Sequence, residues 1–303
     1  MERTLEGIFP VLPTPFTHQG DIDSEAMKRV VEFAVKTGVS GLVFPGFASE
    51  VEELTASERA ELLRIIVETI DDRMPVIAGA SAASVEEVAA HGRLAGELGI
   101  KYLMIQPPKA LDADEALDFM TAVAEKLPGA KIILQNAPAP RGSALTPETI
   151  LRIVREVPSV SYVKEETLPA GPAIKAIVTN GPSSLKGVIG GGGARYILDE
   201  YTRGACAAMP AIEIADIHVE IDNAWRSGNH DKARSLYIRS LPLLVLQAVY
   251  RMRLTKLVMQ RRGILNNTVV RAQTPELDET AIADIDTNLA ELGVFEAQTE
   301  AAQ

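Results

Sequence analysis

Apolar and polar positions along this chain alternate between two patterns. Short, nearly unbroken apolar runs of strand length are each followed by a longer run whose apolar residues recur every three or four positions. The short runs are GIFPVLPT (7–14), SGLVF (40–44), PVIAG (75–79), KYLMIQ (101–106), KIILQ (131–135), SVSYVK (159–164), SSLKGVI (183–189) and GACAAMP (204–210). They are rich in Val, Ile and Leu, as parallel strands are when helices cover one face and other side chains fill the other. The longer runs begin near Ser24, Thr55, Ser84, Asp112, Thr146, Pro169 and Ala194. Ser24, Ser84 and Thr146 read as N-caps, Thr55 precedes Glu58 at capping-box spacing, and Pro147 suits a first helical position. Gly38, Gly99 and Gly181 follow helix ends, where a left-handed cap is wanted.

Eight strand-then-helix units predict an α/β fold, a TIM (β/α)8 barrel over residues 1–211. An open doubly wound sheet is the rival, but no G-x-G-x-x-G follows the first run. From Ile212 the pattern is helical only. Residues 212–303 are therefore expected to supply the last barrel helix and a C-terminal helical layer of three or four helices. No linker is long or polar enough to make that layer an independent domain. The closing EAQTEAAQ is expected to fray.

Composition narrows the function classes. With 41 Asp and Glu against 30 Lys and Arg the net charge is −11, and no basic run offers a face to nucleic acid. The single Cys206 excludes an internal disulfide framework and fits a reducing compartment. The N-terminus lacks an apolar stretch of signal-peptide length and no window approaches a membrane span, so the expectation is a cytoplasmic protein with no membrane partner. The histidines at 18, 91, 218 and 230 are dispersed and form no metal set, and no Ser-His-Asp arrangement or P-loop is legible. Neither a metal nor a cofactor is expected.

Barrel active sites lie at the C-terminal ends of the strands. Strand six ends in Tyr162-Val163-Lys164-Glu165-Glu166, and strand parity points Tyr162, Lys164 and Glu166 one way. A lysine at a barrel mouth is costly to keep charged, and a neutral amine attacks carbonyls; a rim ion pair with Glu165 or Glu166 is the plainer alternative. The strand-two loop, Gly46-Phe47-Ala48-Ser49-Glu50, can offer backbone N–H groups and the Ser49 hydroxyl to a carboxylate, or be only a tight turn. Gln135 on strand five projects into the mouth as a substrate contact or a filler. The Gly190–Gly193 turn could hold phosphate, although only Arg195 lies beside it; close backbone approach is the alternative.

Together these segments resemble the dihydrodipicolinate synthase and N-acetylneuraminate lyase superfamily. The resemblance runs from GIFPVLPTPF through GFASE, QNAPAP-RG, YVKEET and the glycine turn to GACAAMPA and the helical C-terminus. It implies that Lys164 is the Schiff-base residue of a lyase acting on an α-keto acid, and that the assembly is a homotetramer, a dimer of dimers. The helix LPLLVLQAVY (241–250) is consistent with an interface or with burial on the barrel. Departures are equally specific. The family's G-T-T-G-E loop reads GFASE here, its strand-five Tyr is Gln135, strand four's loop reads Pro107-Pro108-Lys109 with no Tyr, and the Arg after strand five is displaced to Arg141. An amide cannot shuttle a proton as Tyr does. Ser49-Glu50, Gln135, Lys164-Glu165-Glu166-Thr167 and the stretch Ala224 to Asp231 are closer to sequences resembling 2-keto-3-deoxy-L-arabinonate dehydratase.

The expected activity is dehydration of a small 2-keto-3-deoxy sugar acid through a Lys164 enamine. A class I aldolase releasing pyruvate and an aldehyde is the alternative, and a non-catalytic α-keto acid binder a further one. Lys164, Glu166 and Gln135 are the expected catalytic residues; Ser49, Ala48, Gly46, Gly191 and Met209 are the expected substrate contacts. Lys109 and Arg141 are candidates for meeting a distal acidic group, with a solvent-facing position the equal alternative for both.

Overall fold

The computed structural model describes residues 4–294, so the EAQTEAAQ segment lies outside the described residues. Eight parallel strands form one curved sheet: β1 (Gly7–Ile8), β2 (Leu42–Phe44), β3 (Val76–Gly79), β4 (Tyr102–Ile105), β5 (Lys131–Asn136), β6 (Val160–Glu165), β7 (Gly187–Gly190) and β8 (Ala207–Ala208). The sheet order is β1-β8-β7-β6-β5-β4-β3-β2, and a parallel bridge between Val11 and Val43 joins its two ends. The ring is a TIM barrel, as the eight apolar runs predict.

Seven helices alternate with the strands: α1 (Ser24–Thr37), α2 (Ala56–Ile70), α3 (Val85–Glu97), α4 (Ala113–Lys126), α5 (Pro147–Glu156), α6 (Ala170–Asn180) and α7 (Ile197–Thr202). Thr55, Ser84 and Thr146 cap their helices as expected, Thr55 in a capping box with Glu58. Helix α1 differs. Asp23, in extended conformation, caps it by accepting from the Ala26 N–H at 2.9 Å, and Ser24 is already helical. Gly38 and Gly99 have the left-handed backbone, with φ of 77° and 78°. Gly181 does not (φ −65°, ψ 142°); a Cβ there would lie 2.7 Å from Leu185 Cδ2, so space rather than handedness selects glycine.

Two apolar layers hold the barrel. Outward strand residues such as Leu103, Leu134 and Val163 pack with Val30, Leu62, Ile150 and Ile174 of the helices. Inward residues, among them Phe9, Ile77, Tyr102, Ile133, Tyr162 and Met209, fill the interior. Each fully buried aliphatic or aromatic side chain contributes roughly 1.5–3 kcal/mol. At the bottom, Tyr162 accepts a hydrogen bond from the Leu5 N–H at 3.0 Å and meets Tyr102 edge to face. These contacts close the lower interior, and the pocket lies at the C-terminal ends of the strands.

Beyond β8 the described residues form four helices, α8 (Ala215–Arg226), α9 (His230–Tyr250), α10 (Met252–Arg261) and α11 (Glu279–Leu292). Helices α9 and α10 are separated at Arg251, whose backbone (φ 53°, ψ −123°) cannot continue a helix. Helix α9 buries Leu243 and Leu244 and exposes Ile238, Val245 and Val249. None of the described helices is long and apolar enough to cross a membrane.

Candidate active site

Strands β5 and β6 run in register with Gln135 beside Lys164 and Asn136 beside Glu165. Ile133 and Tyr162 fill the interior one step below, so alternation lifts Gln135 and Lys164 to the barrel mouth. The Glu166 N–H donates to Asn136 O at 3.0 Å, extending the ladder past β6 and turning Glu166 to the same side as Lys164. The Glu166 carboxylate then sits between two neighbours. Its Oε1 is 3.3 Å from Lys164 Nζ, and its Oε2 accepts from Gln135 Nε2 at 2.6 Å. Burial pushes the Glu166 carboxyl up, but the Lys164 charge, the Gln135 amide and the Arg141 charge outweigh it and hold it below the usual carboxylate range. The expected shared direction of Tyr162, Lys164 and Glu166 is what the structure has.

Glu165 faces the other way. Its carboxylate accepts from Asn136 Nδ2 at 2.8 Å, from the Thr167 N–H at 2.6 Å and from the Thr167 hydroxyl at 2.5 Å. Asn136 in turn binds Leu145 through both its amide atoms. Burial raises the Glu165 pKa. These bonds fasten the ends of β5 and β6 from behind, which fixes where Gln135 and Lys164 point.

In the strand-two loop Phe47–Ser49 form a 3-10 turn, and a second follows at Val51–Glu53. Gly46, Phe47 and Ala48 border the pocket; Ser49 is fully buried behind them. The Ser49 hydroxyl donates to Leu12 O at 2.5 Å and accepts from the Gly46 N–H at 2.9 Å, so it supports the loop instead of facing a substrate. The N–H groups of Phe47 and Ala48, at the start of the turn, have no acceptor within it. Glu50, also buried, anchors the loop to the C-terminal layer. It accepts from Lys256 Nζ at 2.5 Å and from the N–H groups of Arg271 and Ala272 at 2.7 and 2.8 Å.

The glycine turn after β7 is shaped by acids. A Cβ on Gly191 would lie 2.4 Å from Glu166 Cγ, so that glycine admits the Glu166 side chain. Gly190 is likewise pressed by Glu200, a buried α7 carboxyl that burial pushes up to about 8. Gly191, expected to touch substrate, instead touches Glu166, while Gly192 and Gly193 border the pocket. The ionised Glu166 carboxylate against Gly191 opposes a phosphate at the first half of the turn.

Val11, Met104 and Met209 give the pocket apolar lining, and Arg141, Arg195, Gln247 and Arg251 give it polar lining. Lys109 is exposed on the strand-four loop and does not border the pocket. Lys164 and Glu166 are the only amine and the only carboxylate among the described residues on its wall, and no tyrosine borders it. Sequence reasoning did not find Phe47, Gln247 or Arg251 as wall residues. The last two belong to the helical layer, and no local pattern ties them to the barrel mouth. No group of His, Cys, Asp and Glu among the described residues could hold a metal ion.

Comparison with known proteins agrees with this architecture. The chain is 32% identical over 285 residues to an L-2-keto-3-deoxyarabonate dehydratase of Azospirillum brasilense, covering 92% of each chain. It is 30% identical to a 4-hydroxy-tetrahydrodipicolinate synthase of Maridesulfovibrio salexigens over 244 residues, 79% of this chain and 82% of that one. The crystal structure of a dihydrodipicolinate synthase from Rhodopseudomonas palustris superposes with a TM-score of 0.89 at 26% identity, over 96% of this chain and 99% of the other. The dihydrodipicolinate synthetase family profile matches residues 4–291, nearly the whole described chain, and the protein belongs to that family.

Proposed function

We propose that the protein is a lyase that binds a small 2-keto-3-deoxy sugar acid as a Schiff base on Lys164 and removes water from it. The observation that carries this reading is the pairing of one buried amine with one carboxylate, Lys164 and Glu166, at 3.3 Å on the pocket wall. The Lys164 amine attacks the C2 ketone, and loss of water from the carbinolamine leaves an iminium. The iminium acidifies C3, and the Glu166 carboxylate takes the C3 proton to give an enamine. The enamine expels the C4 hydroxyl, which leaves as water with the proton from Glu166. Hydrolysis of the remaining imine frees Lys164 and the dehydrated keto acid.

Glu166 is placed for the base role beside Lys164, and the Lys164 charge, the Gln135 amide and the Arg141 charge keep it ionised despite its burial. Gln135 holds its Oε2 at 2.6 Å and leaves Oε1 towards Lys164. The N–H groups of Phe47 and Ala48 receive the substrate carboxylate beside the ketone. The likeness to the A. brasilense dehydratase supports dehydration over C–C cleavage. The exposed Ile238, Val245 and Val249 on α9 support association of subunits through that helix.

Product analysis with 2-keto-3-deoxy-L-arabinonate and its stereoisomers tests the reading. The expected product is lighter than the substrate by one water. Pyruvate with an aldehyde would make the enzyme an aldolase, and ligand-induced stabilisation without turnover would make it a binder.

A further inference from the structure

Three arginines reach the pocket from three separate places: Arg141 from the loop after β5, Arg195 from the turn before α7, and Arg251 from the break between α9 and α10. Elsewhere arginines pair with acids, as Arg73 does with Glu32 and Arg262 with Asp216. None of these three has an ion pair within 4.0 Å among the described residues. In a chain of net charge −11 that is not a shortage of carboxylates. Burial, and then the charges of Arg141 and Arg195, push the Arg251 pKa down.

The surroundings hold the cluster in place. Phe47 lies between two of the three, with its ring centroid 4.8 Å from Arg141 Cζ and 5.6 Å from Arg251 Cζ. Arg195 Nη1 donates to Gln247 Oε1 at 3.2 Å, and a Cβ on Gly193 would lie 2.9 Å from that same Nη1. Gln106 Nε2 donates to Arg141 O at 2.8 Å and steadies its loop. Arg251 occupies a positive-φ conformation (φ 53°, ψ −123°) that residues with a Cβ enter only under strain. A strained residue whose side chain is delivered, unpaired, to a cavity points to a role in that cavity.

We propose that Arg141, Arg195 and Arg251 form a second anion subsite, so that the substrate is a 2-keto acid with a second anionic group, carboxylate or phosphate, at the end distal to the ketone. This rests on the reading of Lys164 as the Schiff-base residue. The N–H groups of the strand-two loop meet the carboxylate beside the ketone, which leaves the guanidinium groups around the Phe47 ring for a second anionic group. A terminal hydroxymethyl group would leave the half-buried Arg195 and Arg251, with the exposed Arg141 beside them, without a counter-ion; an anion accepts their forked N–H groups and cancels their repulsion.

The test compares borohydride trapping on Lys164 by three keto acids of matched length ending in hydroxymethyl, carboxylate or a phosphate ester. One of the dianionic acids is expected to half-saturate trapping at a concentration lower by on the order of tenfold than the hydroxymethyl acid, and the better of the two identifies the group. In Arg141→Gln and Arg251→Gly that ratio falls towards one. Arg251→Gly should also raise the thermal midpoint by relieving backbone strain, whereas a purely structural Arg251 would lower it on removal. Equal half-saturation by all three acids in the wild-type protein overturns the subsite. If no keto acid is trapped, the Schiff-base reading fails and the subsite is judged separately with inorganic phosphate and succinate. Stabilisation of wild type but not Arg251→Gly by either anion upholds it, and its absence removes it.

Discussion

Two buried lysine–glutamate pairs stand at the C-terminal end of this barrel, and they differ in what surrounds them. Lys256 and Glu50 are 1% and 0% exposed and 2.5 Å apart. Every polar atom there is engaged: Lys256 also donates to Val269 O at 2.6 Å and lies over the Phe16 ring, and Glu50 also accepts from two backbone N–H groups. Burial still pushes Lys256 down to about 8. Lys164 and Glu166 are looser at 3.3 Å, border a pocket, and leave Lys164 Nζ with no other partner among the described residues. The same two side chains make a fastener where their bonding capacity is saturated and sealed; where one lysine face remains open to the pocket, the pair is the one proposed to meet a carbonyl.

Substitutions can break this contrast. Lys164→Ala should lower kcat/KM by about ten-thousand-fold or more while leaving the far-ultraviolet circular dichroism intact; retained turnover in purified variant would remove Lys164 from the chemistry. Lys256→Ala should do the reverse. It strands the buried Glu50 charge and should cost about 3–5 kcal/mol of stability by denaturant titration, with loss of activity following unfolding. A stability change near zero would show that pair to be no fastener. Glu166→Gln should slow turnover by about a hundredfold yet still allow borohydride reduction to fix the keto acid on Lys164, and an unchanged rate would assign the proton transfer elsewhere.

The smallest effect concerns Glu200, which lies behind the same site with Oε2 unpartnered. Its folded pKa, about 8, is above the 4.5 of a free carboxyl, so the native state keeps a proton that the unfolded chain releases. Stability from this group therefore falls as pH rises from about 5 to about 8. Glu213, raised to about 7, adds to the same slope. Glu200→Gln should flatten the fall in thermal midpoint over that window. A slope identical to wild type would mean that Glu200 is ionised throughout.

The contrast also marks what the sequence could reveal. Strands and helices were legible because each buried face imposes a period, and the inward direction of Tyr162, Lys164 and Glu166 followed from alternation along one strand. Adjacent glutamates were separable for the same reason, Glu165 outward and Glu166 inward. Ser49 was misplaced because a hydroxyl in a tight loop reads alike whether it meets a ligand or the neighbouring Leu12 carbonyl. Gly191 carried a real signal of close approach, but the approaching group was Glu166. The Glu50–Lys256 pair and the Arg141–Phe47–Arg251 stack join segments far apart in the chain, and no periodicity within either segment records such a contact.

On the proposed mechanism Lys164, alone among the lysines, forms an imine with a keto acid. Borohydride reduction in the presence of pyruvate, followed by peptide mass spectrometry, tests it most directly. A reduced pyruvyl adduct confined to the peptide carrying Lys164, and lost in Lys164→Ala, is the predicted result. An unmodified Lys164 peptide with pyruvate and with every 2-keto-3-deoxy sugar acid tried would contradict it.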